Sequence, residues 1–448
     1  MSCNKTAHNS LKEGGGKLLI VAYAFPPHSV VGSMRPLRMA KYLKKMSGWR
    51  PMVLTVDKDF ARKDFSLLQE IPADVPVYRS WTVEPATRLA KMVALLEDHQ
   101  STGWEHLARY CLKKICAWAM ELFSIPDAEV FWNLSVILKG RRIIREEAID
   151  ALLVTSPPWS LQIAGYMLKK LTGVRWIVDF RDPWTDIKRK NRPVAVDRLE
   201  RWLEERLLSQ ADLVLSTSDI YSEDLRKKYP AMFPGKFQTL HNGYDEEKFP
   251  VIESRGNDKF TLVHLESLYT QFEPAPLFDA IAAWLSESKD AQALFELQFI
   301  GEISAQTKKL LEERGLDKMT KVTGYIPHRE AIEMCRRADA LLLALGTGAK
   351  MPRGWLPSKL FEYLALNRPI LAYVAEGEAA SMVRAINSGY VVSRDDQRAI
   401  IRILDDLFDQ KMAHDKHFVP WQNDTEAMKM LQQPHIMKRL GSLLDSLK

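Results

Sequence analysis

The feature that most constrains this chain is a series of short, unbroken apolar runs separated by segments with helical spacing. Lys17–Phe25 (KLLIVAYAF), Met52–Val56 and the starts of DALLVTSPPWS, VRWIVDFRDPWTD and ADLVLSTS are such runs. An apolar run without alternation suits a strand buried on both faces of a parallel sheet. Between the runs lie amphipathic stretches: about Pro36–Met46, with Leu37, Ala40 and Leu43 at helical spacing, LQIAGYMLKKLTG, ended by Gly173, and Leu199–Gln210. Strand, helix, strand in repetition predicts a parallel sheet with right-handed crossovers. FQTLHNGYDEEKF closes this first series as a strand and loop, and the polar Glu253–Asp258 reads as a linker.

A second series follows. KFTLVHLES, FELQFIGEIS, KVTGYIP, ALLLALGTG, ILAYVA and Gly389–Ser393 read as strands, with PLFDAIAAWLSES, KKLLEERG and HREAIEMCRRAD as helices between them. From about Asp395 to Lys448 the chain is helical by period. At 448 residues it is too long for one ordinary core, and two α/β domains are expected. The first 16 residues have no apolar h-region, cannot be a signal peptide and read as a disordered leader. No run of about 18 uncharged apolar residues exists, so no transmembrane helix is expected.

Composition narrows the partners. A net charge of +6 fits a protein that handles phosphates or lies on an anionic membrane, and is far from a nucleic-acid-binding composition. Cys3, Cys111, Cys116 and Cys335 form neither a disulfide framework nor a metal pattern, which points to a reducing cytoplasm. The segment from about 84 to 145 breaks the α/β rhythm and is helical, mixing Lys113 and Lys114 with Trp104, Tyr110 and Trp118. It reads as a helical insertion packed on the sheet or as an amphipathic peripheral contact with an anionic membrane surface.

Gly346 to Ala375 holds the most pointed local signal. A loop with Gly346, Gly348 and Gly354 leads into Pro357 and a helix that buries Leu360, Phe361 and Leu364, while Lys359 and Glu362 share another face. A glycine-rich loop feeding a helix start presents free N–H groups and the positive end of the dipole to an anion. A surface helix with a solvated Lys–Glu pair is the plainer reading. Thr155-Ser156, Arg181-Asp182 and His241-Asn242-Gly243 fall at the carboxyl ends of strands, where ligands of such sheets collect. The first loop contains Gly32 but no G-x-G-x-x-G. Asp57-Lys58-Asp59 is formally D-x-D and reads as a solvated turn, and no His cluster has ligand spacing, so no metal is expected.

PSKLFEYLALNRPIL resembles the signature segment of nucleotide-sugar-dependent glycosyltransferases of the GT-B fold, family 4-like, of the retaining bacterial type that builds surface polysaccharides. YAFPPHSVVGSMRPLRMAKYL is similar to the first loop and helix of that family, with Gly32 and Arg35 as the matching residues, and TSPPWS, DFRDPW and HNGYDEEKF match further segments. The resemblance implies two Rossmann-like domains facing a cleft: residues 17–250 on the acceptor side, 258–425 for the donor, and a terminal helix, 426–448, packed back on the first domain. It implies a nucleotide diphosphate sugar as donor substrate, a glycan or lipid-linked acceptor, and no cofactor. Glu362 would hold the ribose diol. Leu356, Pro357, Ser358 and Lys359 at the helix start, with Gly354 and Arg353, would meet the diphosphate, and Tyr325 and Ile326 would lie against the base. Arg181 and Asp182 stand, with Lys359, as the catalytic candidates; Arg181 occupies the position of a histidine in many relatives.

The chain also departs from the pattern. Gly354 replaces the first glutamate of E-x7-E, Glu266 stands where the family has glycine, and no arginine lies near Phe272. These changes keep a second reading open, a GT-B scaffold with degraded donor contacts acting as a binding or partner subunit. A nucleotide-sugar epimerase on the same fold is a third.

Overall fold

The computed structural model describes residues 15–83, 125–186, 193–249, 258–268, 272, 274–346, 352–393, 395–413 and 421–448. Residues 1–14 of the leader and the segment 84–124, which carries the membrane-contact reading, lie outside the described residues. The chain forms two compact bodies. The first holds the residues up to Thr217, Tyr221–Leu240 and Met437–Lys448; the second holds Ser218–Ile220 and His241–Ile436.

The first body is built on seven parallel strands, β1 (Lys17–Val21), β2 (Arg50–Asp57), β3 (Val77–Trp81), β4 (Ala151–Ser156), β5 (Arg175–Phe180), β6 (Leu213–Ser216) and β7 (Phe237–Thr239). Their order is β3-β2-β1-β4-β5-β6-β7. Leu18 of β1 sits between Pro51 and Ala151 in register, and the strand is buried from Leu18 on, as an unbroken apolar run predicts. The strand direction of growth reverses between β1 and β4, which makes that edge the switch point of the sheet. Around it pack α1 (Val31–Ser47), α2 (Asn133–Glu146), α3 (Leu161–Thr172), α4 (Val194–Gln210) and, from Tyr221 on, α5 (Asp219–Lys228).

Several local expectations need adjustment. β1 ends at Val21, four residues short of the apolar run. α1 begins at Val31, ahead of Pro36, which stands inside the helix. Proline donates no N–H, so the carbonyl one turn back, that of Gly32, is left without its helical partner. β3 and α5 have no strong pattern; α5 buries only Tyr221, Ser222 and Leu225. Gly173 ends α3 in the left-handed conformation with φ 74°.

The second body carries six parallel strands, β8 (Phe260–Leu265), β9 (Phe295–Ile300), β10 (Thr320–Val322), β11 (Ala340–Gly346), β12 (Ile370–Val374) and β13 (Gly389–Val392), in the order β10-β9-β8-β11-β12-β13. Its helices are α6 (Ala275–Glu287), α7 (Lys289–Leu294), α8 (Ala305–Glu313), α9 (His328–Arg336), α10 (Ser358–Leu366), α11 (Glu378–Ala385), α12 (Gln397–Ala413) and α13 (Thr425–Met430). α14 (Gln433–Asp445) starts here and its later residues belong to the first body, where the Trp49 indole donates to Asp445 at 3.0 Å and Arg175 donates to the Lys448 carbonyl at 2.7 Å.

The switch point of this sheet is between β8 and β11, and there the strands part. β8 pairs with β9 over its whole length but with β11 only at Leu262 and Val263. The ends beyond are bridged by side chains. Tyr363 of α10, fully buried, accepts the Leu265 N–H at 2.8 Å and donates to the Leu342 carbonyl at 3.2 Å, while His264 Nδ1 lies 2.9 Å from the same carbonyl.

Candidate active site

The parted strands of the second body make room for Lys359, in the first turn of α10. The plainer expectation was a solvated Lys–Glu pair on a surface helix. Instead the Lys359 side chain is 3% exposed, and Nζ lies 3.3 Å from the Leu265 carbonyl, 3.5 Å from His264 Nε2 and 3.5 Å from a Glu266 carboxylate oxygen. An ammonium can only donate, so His264 Nε2 accepts and Nδ1 carries the proton given to Leu342. Burial, and then the charge of Lys359, push the His264 pKa well below the ordinary histidine value. Burial also lowers the Lys359 pKa, opposed chiefly by Glu266.

Glu362 lies one turn further along the same face. Its side chain is 16% exposed and its Oε1 is 2.9 Å from His328 Nε2, at the start of α9. Pro357 is the residue before α10, and no side chain caps that helix, so the backbone of Ser358 and Lys359 faces outward from an uncapped start. Leu356 is buried, whereas Arg353 is exposed, and its carbonyl is fixed by the Glu378 N–H at 2.8 Å. Gly377 must be glycine there, because a Cβ would overlap that carbonyl. Gly354 lies in the turn closed by Trp355 N–H to Pro352 O. Tyr325 is exposed at 83%, next to the partly buried Ile326. Thr347–Met351, and with them Gly348, lie outside the described residues.

In the first body the strand ends of β1, β4 and β5 gather a different set. Arg35 of α1 is buried and clasps Asp179 of β5, with Nη2 2.7 Å from Oδ1 and Nε 3.0 Å from Oδ2. It is thus tied to a fully buried carboxylate rather than presented to a ligand. Arg181 donates to the Gly32 carbonyl at 2.5 Å, to Ser156 O at 3.3 Å and to Pro157 O. The Gly32 carbonyl is the one that Pro36 leaves open, and a Cβ on Gly32 would run into the Arg181 guanidinium. Gly32 and Arg35, expected in the first loop, lie within α1, where these contacts give them structural reasons, and Arg181 ties the start of α1 to the loop after β4. Asp182, beside it, is partly buried; burial raises its pKa and Arg181 counteracts that. Thr155 and Ser156 are buried at the strand end.

Among the described residues of the second body, Asp219, His241 and Glu378 bring metal-ligand atoms within 4.8 Å of one another, from positions whose sequence spacing gave no hint of it. The Glu378 carboxylate accepts the N–H groups of Asp219 at 2.8 Å and Ile220 at 2.9 Å, both residues of the second body. Gly243 of the same segment lies so close to the Leu431 carbonyl that a Cβ would overlap it.

Two family models divide the chain between them: a glycosyl transferase 4-like domain over residues 33–243 and glycosyl transferases group 1 over residues 247–422. The chain belongs to the family 4-like glycosyltransferases of the GT-B fold. Among curated proteins it is 25% identical over 201 residues to the putative colanic acid biosynthesis glycosyltransferase WcaL of Escherichia coli K12, covering 45% of this chain and 48% of that protein. It is 25% identical over 248 residues to WcaL of Salmonella typhimurium, covering 54% and 59%. The chain thus spans about half the length of the curated relatives it matches. Solved structures agree on the fold. Sucrose-phosphate synthase from Thermosynechococcus elongatus aligns with a TM-score of 0.61 at 13% identity, over 96% of this chain and 99% of its own. HepE of Anabaena, solved with UDP-glucose, aligns at 0.59 and 14%, over 96% and 100%. Among the described residues no helix is long and apolar enough to cross a membrane.

His264, Tyr363 and Asp179 were missed by sequence reasoning. Each lies inside an apolar strand or helix where a lone polar residue carries no periodic signal. His328 was passed over as an ordinary helix residue. Its place at the first position of α9, directly after the expected base-binding segment, was the available clue.

Proposed function

We propose that this glycosyltransferase-family chain transfers a sugar from a nucleotide diphosphate sugar to a glycan or lipid-linked acceptor, with retention of configuration and without a metal ion. The observation that carries the reading is Lys359 and Glu362 one turn apart on α10, over the parted β8 and β11 ends. Crevices outside the carboxyl ends at such a reversal are where open α/β sheets bind ligands. Glu362 has two acceptor oxygens for the vicinal ribose hydroxyls, and His328 orients one of them. Lys359 and the uncapped N–H groups from Ser358 on would take the diphosphate, with the Leu356–Pro357 segment, Gly354 and Arg353 bordering it. Tyr325, largely exposed, and Ile326 would flank the base.

In the first body Arg181 would hold the loop that presents Asp182 to the acceptor side. Arginine is not a general base, so the departing diphosphate itself would take the acceptor proton on the same face. The work left to the protein is placement and charge stabilisation. The similarity to colanic acid biosynthesis proteins supports a polysaccharide-building role; with a lipid-linked acceptor, the basic and aromatic residues of 88–123 would meet the anionic cytoplasmic face of the membrane. One observation favours the scaffold reading instead: Lys359 is already paired with Glu266.

The test is a panel of nucleotide sugars with purified protein, scored for release of nucleotide, together with Glu362→Ala. Loss of the two charge-assisted hydrogen bonds is expected to weaken nucleotide binding by about 2–4 kcal/mol while the melting temperature holds. Unchanged nucleotide affinity in that variant would refute the assignment.

A further inference from the structure

Glu266 stands out on two counts. Its φ is 77°, in the left-handed region that disfavours side chains other than glycine, asparagine and aspartate. The backbone cannot relax easily, because the Glu266 N–H donates to the Ile300 carbonyl at 2.8 Å and Gly301 packs flush against the Glu266 carbonyl. A strained conformation kept by its surroundings points to a role for the residue held in it. The second count is where the side chain goes: Oε2 lies 3.5 Å from the buried Lys359 ammonium.

We infer that Glu266 is a built-in anion of the donor site that competes with the donor diphosphate for Lys359. The inference rests on the donor-site reading above. The Lys359 side chain is almost fully enclosed, and its other contacts, Leu265 O and His264 Nε2, are neutral. Among the described residues, Glu266 is the one partner of this ammonium whose side chain also reaches solvent, so a second anion is taken to approach from its side. Glu266 is 46% exposed on its side chain, so it can swing into water without disturbing the core. Donor binding is then an exchange of one anionic partner for another at the same cation, and return of the carboxylate helps expel the nucleoside diphosphate after transfer. Neutralising Glu266 removes the competitor and the repulsion on the incoming phosphates together.

The experiment is calorimetric titration of the full chain with UDP, GDP and ADP, each beside its uncharged nucleoside. Glu266→Gln keeps size and backbone strain and deletes the charge. It is expected to tighten the diphosphate that binds by about tenfold, with nucleoside affinity unchanged. Glu266→Gly should show the same gain and a higher melting temperature, since glycine accepts this φ. Diphosphate affinity that is unchanged or weaker in both variants overturns the inference, as does an equal gain for the nucleosides. Glu362→Ala separates the two levels. If it loses nucleotide while Glu266→Gln changes nothing, the donor site stands and the competitor role falls. If neither wild type nor Glu266→Gln binds any diphosphate, both fall. If Glu266→Gln alone binds, the competitor role holds.

Discussion

Replacing Tyr363 by phenylalanine tests how the donor half is held open. The phenol oxygen is fully buried, takes the Leu265 N–H at 2.8 Å and gives its proton to the Leu342 carbonyl at 3.2 Å. The carbonyl keeps a second donor, His264 Nδ1, at 2.9 Å, whereas the Leu265 N–H loses the phenol oxygen that accepts it. One buried donor is therefore orphaned, a loss of about 1–3 kcal/mol, and we take about 2 kcal/mol as the expected value. For a body of this size that corresponds to about 4–8 °C in melting temperature. Leu265 also presents the carbonyl that holds Lys359, so nucleotide affinity should fall together with stability. Differential scanning calorimetry and nucleotide titration of Tyr363→Phe read the two effects. A melting temperature within about 1 °C of wild type would show that the β8 end finds another acceptor, and would refute the account of the strand opening.

Lys359→Met, nearly isosteric, should lower turnover about a hundredfold or more with the fold intact, the scale of losing one oxyanion donor; wild-type turnover would move the diphosphate elsewhere. His264 provides a pH prediction. Its folded pKa is depressed, so its contribution to stability is complete above the unfolded value near 6.5 and is lost as pH falls. Between pH 6.5 and 5 the second body should lose up to about 2 kcal/mol, measured by urea denaturation, and His264→Gln should flatten that slope. Equal slopes would mean that the folded protein accepts the proton. In the first body, Arg35→Met strands the fully buried Asp179 carboxylate and should cost about 3–5 kcal/mol, with Asp179→Leu in the same chain restoring most of it. A single variant as stable as wild type would show that the carboxylate takes up a proton or another partner at little cost.

The two-sheet architecture was legible because it is written locally. Unbroken runs such as KLLIV and ALLVTS are long enough for a strand and too apolar for an exposed one, and Gly173 marks a helix end by its own backbone freedom. α5 buries few side chains and leaves a weak period, α11 is only eight residues long, too short to show one, and β3 has an exposed edge; all three went unnoticed. The start of α1 was misplaced because proline is usually a first-turn signal; here it stands inside the helix and frees the Gly32 carbonyl for Arg181.

By itself the sequence determined the α/β class with two parallel sheets and the helical segment of α10 that carries Lys359 and Glu362. Only the tertiary structure decided what each charge does. Whether an arginine faces a ligand or a buried carboxylate depends on strand order, and strand order is set by pairings between distant segments. Arg35 meets Asp179 because β1, β4 and β5 lie side by side, and Lys359 meets Glu266 because β8 and β11 part where α10 begins. The same residue types in a differently ordered sheet would carry the same local signals and hold different partners.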